Sequence, residues 1–104
     1  MLPRGRGALL FTGATAGIKG FARSSVFAMG KFAVRGLAQS LARELGPQGI
    51  HVVHFVIDGG VVQESSDPNA FTPRAIAQSY MAAIAQPRGA WTWEIELRSS
   101  SEPF

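Results

Sequence analysis

The sequence predicts an α/β layer with parallel strands and one long helix against a face of the sheet. Two observations carry this reading. Segments of strand and helix character alternate as strand, helix, strand, helix, strand, and the strand-to-strand connections are long enough to hold a helix, which calls for parallel pairing and right-handed crossovers. The segment Ile50–Ile57, IHVVHFVI, is β-branched and apolar on both faces, as a central strand of a parallel sheet must be.

The first element is the short apolar run Ala8–Thr12, which stops at a Gly-rich turn, Gly13–Gly17, and suits a buried strand better than a helix. After a loop to Arg23, Ser24 or Ser25 is a plausible N-cap for the longest element. From Val26 to Leu45, the residues Val26, Phe27, Met29, Phe32, Ala33, Leu37, Leu41 and Leu45 recur at helical spacing, and Gly46-Pro47 ends the run. Gly30 and Gly36 inside this helix each cost about 1 kcal/mol relative to alanine, so close approach of another helix is expected there. The central strand Ile50–Ile57 ends at Asp58-Gly59-Gly60, and a polar loop follows to Ala70. Thr72-Pro73 is an N-cap and first-turn pair for a second helix running to about Gln86, before Pro87. Trp91–Leu97 alternates strictly and reads as a strand with one wet face, and residues 98–104 read as a frayed tail.

At 104 residues the chain is sized for one domain, spanning 1–104. A hydrophobic fraction of 46% against 16% charged residues is that of a globular chain, and it is apolar enough to predict burial of surface against another chain. The formal charge of +3 does not indicate nucleic-acid binding, because the basic residues are scattered without a run or an aromatic-interleaved stripe. The absence of cysteine excludes disulfides and thiolate metal sites and is compatible with a cytoplasmic location, the one expected here. No apolar run approaches the roughly 20 residues of a membrane-spanning helix, so no membrane partner is expected.

In a sheet of this kind ligands sit at the carboxyl ends of the strands. That rule sets Gly13–Gly17, the first turns of the long helix and Asp58–Val61 on one rim. Phe27 and Lys31 are four apart and share a helix face near it, although a lone lysine on an apolar helix is usually a snorkelling side chain. His51 and His54, three apart on a strand, point to opposite faces and read as core or rim histidines; no third ligand accompanies them and no metal site is expected. Trp91 and Trp93 would share one strand face, and core or interface packing is the better reading of them than a stacking platform.

The order of these motifs resembles the short-chain dehydrogenase/reductase family. The resemblance rests on the strand ending in Thr12-Gly13-Ala14-Thr15, on Phe27-Ala28-Met29-Gly30-Lys31, on the run Gly36–Ile50 (GLAQSLARELGPQGI), and on the strand ending in Ile57-Asp58-Gly59. It implies a truncated Rossmann-like sheet, the C-terminal half of the family's fold, in an oxidoreductase that uses NAD or NADP. It sets Lys31 at the position of the lysine that binds the nicotinamide ribose, Thr15 near that of the substrate-orienting serine, and Gly59, with Ile57 before it, where the chain approaches the nicotinamide. Phe27 falls at the position of the catalytic tyrosine and has no proton to exchange. A subgroup with Phe-Ala-x-x-Lys and Ile-Asp-Gly is similar, as is the ending Gln86–Glu94. The family's dinucleotide fingerprint lies upstream of the first strand found here, so the isolated chain is expected to be weakly active or inactive and need not bind the cofactor. The segment Gly13–Gly20 contains glycines but precedes a loop, which makes it a poor substitute phosphate site. The alternative is a non-catalytic fragment or degenerate homologue that acts as an oligomerisation or interaction module. In either case the chain is expected to form a homo-oligomer through the helix 26–45 or a sheet edge.

Overall fold

A computed structural model describes residues 1–14, 22, 25–63 and 65–101. Thr15, Ser24 and most of the loop between the first strand and the long helix lie outside the described residues. The elements in chain order are β1 (Gly7–Ala14), α1 (Ser25–Leu45), β2 (Ile50–Ile57), α2 (Pro73–Ile84) and β3 (Glu94–Leu97). The strands form one sheet in the order β1-β2-β3, and both pairings are parallel. β1 and β2 pair along their full length from Gly7↔Ile50 to Ala14↔Ile57, and β3 meets the second half of β2 from His54↔Glu94 to Ile57↔Leu97.

Alternation along β2 divides the sheet into two faces. Val53 and Phe55 pack with Ala83 of α2, joined by Leu10, Tyr80 and Leu97, and the Phe55 and Tyr80 rings stack with centroids 3.7 Å apart. Full burial of a side chain such as Phe55 or Val53 contributes roughly 1.5–3 kcal/mol each. On the other face lie Val52, His54 and Val56, under α1. The side of α1 that meets the sheet is made of Ala28, Lys31, Val34, Arg35, Ala38, Leu41, Ala42 and Leu45, all at least partly buried and spaced at about 3.6 residues. Small residues at Ala28 and Ala38 let the helix lie close to β2.

The bulky apolar residues face the other way. Val26 is 77% exposed, Phe27 55% and Met29 69%, with Phe32 and Leu37 also exposed. Helical spacing alone finds the helix but not which of two apolar stripes is its inner one. A Cβ at Gly30 or Gly36 would meet nothing within 4 Å, so among the described residues no helix takes the close approach expected at these glycines.

The strand expected at Trp91–Leu97 begins only at Glu94. Gln86 is the cause: its carbonyl accepts from Trp91 Nε1, its Oε1 accepts from Thr92 N–H, and its Nε2 donates to Thr92 Oγ1. This clamp holds Trp91-Thr92 against the end of α2 and takes the Thr92 N–H out of the sheet. Trp91 therefore stacks on His51, while Trp93 lies beside Gln39, Ala42 and Arg43 of α1, and the two tryptophans do not share a face. The helix α2 starts as expected, with Thr72 Oγ1 accepting from Ala75 N–H at 3.2 Å and Pro73 in its first turn, and it ends at Ile84 rather than Gln86. At the start of the 98–104 segment Arg98 lies 3.7 Å from Asp58 and Ser99 Oγ donates to the Asn69 carbonyl; residues 102–104 lie outside the described ones.

Candidate active site at the carboxyl rim of the sheet

The crossover from β1 to β2 determines where Phe27 and Lys31 stand. Because the two strands are parallel, α1 must carry the chain back from the carboxyl end of β1 to the amino end of β2. Its first two turns, which hold Phe27 and Lys31, accordingly stand at the rim where β1 ends at Ala14 and β2 at Ile57. Lys31 is half-buried, and its Nζ lies 5.6 Å from the centroid of the exposed Phe27 ring. The i, i+4 spacing thus places an ammonium against an aromatic face, a contact of about 0.5–1 kcal/mol at an exposed site.

Ile57 is the last residue of β2, flanked in register by Ala14 and Leu97. Gly59 follows two residues later, exposed and at φ +125°, a conformation that side chains rarely adopt. Lys31, Ile57 and Gly59 are brought to one rim; Thr15 lies outside the described residues. Asp58, whose charge has no role in the sequence reading, donates its N–H to the Leu97 carbonyl at 2.9 Å and pairs through its carboxylate with Arg98. It ties the ends of β2 and β3 together just behind Gly59.

A second polar cluster, invisible to the sequence reading, lies under α1. Arg35 donates to both carboxylate oxygens of Glu94, from Nε at 2.9 Å and from a terminal nitrogen at 3.1 Å, and His54 Nδ1 lies 2.9 Å from Glu94 Oε1. His54 is fully buried. Its ring occupies the space over Gly13, where any Cβ would overlap Nε2. Gly13 therefore serves a packing contact with His54. The pairs that build this cluster are 59 and 40 residues apart, and no local pattern announces them. His51 stands on the opposite face from His54, as strand geometry requires.

Residues 1–72 match the family model described as short chain dehydrogenase. The chain belongs to the short-chain dehydrogenase family. A 3-alpha-(or 20-beta)-hydroxysteroid dehydrogenase of Mycobacterium tuberculosis is 34% identical over 87 residues, an alignment covering 84% of this chain and 32% of the relative. Human 17-beta-hydroxysteroid dehydrogenase type 1 is 42% identical over 52 residues, half of this chain and 16% of that protein. Among solved structures, a short-chain dehydrogenase from Rhodopseudomonas palustris superposes with a TM-score of 0.78 at 43% identity, over 94% of this chain and 41% of the other. A serine dehydrogenase solved with NADP+ superposes at 0.82 and 18% identity, covering 100% of this chain and 48% of that one, a likeness of fold. This short-chain dehydrogenase chain thus spans about a third of the mycobacterial relative and less than half of either structure. The Rossmann-like layer of three parallel strands is the family's, and among the described residues no helix is long and apolar enough to cross a membrane.

The rim fits part of a dinucleotide. A half-buried ammonium, a strand end and an exposed positive-φ glycine suit the ribose and nicotinamide. Among the described residues at this rim, nothing suits the pyrophosphate, because Gly13 is taken by His54.

Proposed function

We propose that these 104 residues are the C-terminal part of an NAD(P)-dependent oxidoreductase, supplying the ribose-binding Lys31 and the nicotinamide-facing segment Ile57–Gly59, and that alone they turn over weakly or not at all. The observation that carries this reading is that the first turns of α1, with Phe27 against Lys31, and the end of β2, followed by the positive-φ Gly59, belong to the same carboxyl rim of a parallel sheet. When bound, the nicotinamide supplies hydride to a carbonyl or takes it from an alcohol. Lys31 then holds the ribose hydroxyls with its ammonium donors, and Thr15 offers a hydroxyl to the substrate oxygen. Phe27 neither gives nor takes a proton, so the chain lacks the phenolic acid/base step of its relatives; its ring instead covers the Lys31 ammonium. The relatives' names favour a secondary alcohol or ketone as substrate, and the lack of a membrane-crossing helix among the described residues is compatible with the cytoplasm.

Self-association belongs to the same proposal. The outer face of α1 leaves Val26, Phe27, Met29, Phe32 and Leu37 exposed, and among the described residues the outer edge of β1 is unpaired. This observation also favours the second reading, an interaction module without catalysis.

Fluorescence titration with NADH and NADPH separates the two. The oxidoreductase reading expects little binding to the chain alone and clear binding once the N-terminal half of the Rhodopseudomonas palustris relative is supplied. Absence of binding in that reconstituted complex, with the complex formed, favours the module.

A further inference from the structure

At the opposite end of the sheet from Phe27 and Lys31, where β1 and β2 begin, a cavity of about 420 Å³ is lined by Arg4, Arg6 and Arg88 together with Gly49, His51 and Trp91. The volume is within the usual range for small-molecule sites. No carboxylate lines it, and among the described residues none of the three guanidiniums makes an ion pair. Three uncompensated cations on one cavity repel one another, and an anion is the partner that reverses this.

The backbone is shaped to bring them together. Gly5, at φ +64°, turns the chain between Arg4 and Arg6, and Gly49, at φ +90°, leaves room for the Gly5 carbonyl and for Arg88. A Cβ at Gly49 would overlap that carbonyl and stand 2.7 Å from a terminal nitrogen of Arg88.

One wall is aromatic. The His51 and Trp91 rings stack with centroids 4.5 Å apart and planes within 6°, and the Arg88 guanidinium lies 5.8 Å from the Trp91 ring. His51 is 4% exposed, and its Nε2 lies 2.8 Å from the Thr92 carbonyl oxygen.

We propose that this cavity binds a small phosphate ester of the size of a sugar phosphate. The phosphate, near −2 at neutral pH, is held by the guanidinium forks of Arg4, Arg6 and Arg88, and the organic part rests against the Trp91 wall. The site is separate from the nicotinamide rim and does not depend on the oxidoreductase reading.

The test is a titration of the 104-residue chain with ribose 5-phosphate, ribose and inorganic phosphate, followed by amide and indole NMR shifts and by the unfolding midpoint. Ribose 5-phosphate is expected to bind saturably, to raise the midpoint, and to shift Gly49, Arg88 and the Trp91 indole. Inorganic phosphate should bind at least tenfold more weakly, and ribose not measurably. Arg6→Ala and Arg88→Ala should each weaken ribose 5-phosphate binding at least tenfold, while Arg74→Ala, on α2 outside the cavity, leaves it unchanged. Both cavity arginines are exposed, so these variants retain the fold, which the unfolding curve checks. No saturable binding, equal affinity for ribose or for inorganic phosphate, or indifference to both arginine substitutions would overturn the proposal.

Discussion

Gly13 of β1 lies directly beneath the imidazole of His54 on β2, so closely that any side chain at position 13 would overlap Nε2. The glycine at the end of an apolar strand is thus the seat of a fully buried histidine, whose other nitrogen meets Glu94 at 2.9 Å. The contact joins all three strands through one side chain.

Gly13→Ala should destabilise the chain by about 1–3 kcal/mol, the usual cost of overpacking a rigid interior site. The neighbour is a ring fixed by a hydrogen bond, not the free end of a flexible chain. Urea unfolding of the variant beside the parent checks this, and an unchanged midpoint would show that His54 is free to move.

Glu94→Ala removes the acceptor shared by Arg35 and His54. The His54 nitrogen is buried, so its lost partner is costly, whereas Arg35 is partly exposed and regains water. The expected loss is about 2 kcal/mol, most of it from the histidine side. A double-mutant cycle with Arg35→Ala measures the split: Arg35→Ala alone should cost about 1 kcal/mol or less.

Thr72→Ala should cost about 1 kcal/mol by leaving Ala75 N–H without its cap at the start of α2. Thermal unfolding reads the loss, and Thr72→Ser should restore most of it because a serine hydroxyl accepts in the same way.

Light scattering at micromolar concentration is expected to show a dimer or larger species, dissociated or weakened by Phe32→Glu and Met29→Glu on the outer face of α1. A monomer whose unfolding is independent of concentration would contradict the self-association reading.

The elements that read most clearly from the sequence are those whose causes are local. β2 is apolar on both faces because helices cover it on both sides, and its bounds Ile50–Ile57 are those expected. The α1 period and the Thr72-Pro73 start of α2 are equally local signals. What escaped detection depends on distant partners. Trp91–Trp93 alternates like a strand, yet the Gln86 amide takes the Thr92 N–H and hydroxyl out of the sheet. Asp58 acquires its purpose from Arg98, and His54 its partner from Glu94, across separations that periodicity does not see. The inner face of α1 is not legible either, because the bulky apolar residues lie on the outer side while the inner one mixes alanines and leucines with Lys31 and Arg35. At the rim, motif order points to Phe27, Lys31, Ile57 and Gly59, and the parallel crossover sets the first turns of α1 at the same end of the sheet as the end of β2.

The central claim, that Lys31 is the ribose-binding group of an NAD(P)-dependent oxidoreductase, is tested most directly by NADH and NADPH titration of the chain complemented with the N-terminal half of a relative. Lys31→Ala should weaken binding of the preferred dinucleotide at least tenfold, well beyond the effect of Thr15→Ala, and Phe27→Tyr should leave the uncomplemented chain inactive. Equal effects of Lys31→Ala and Thr15→Ala on binding, or robust carbonyl reduction by the Phe27→Tyr chain alone, would contradict it.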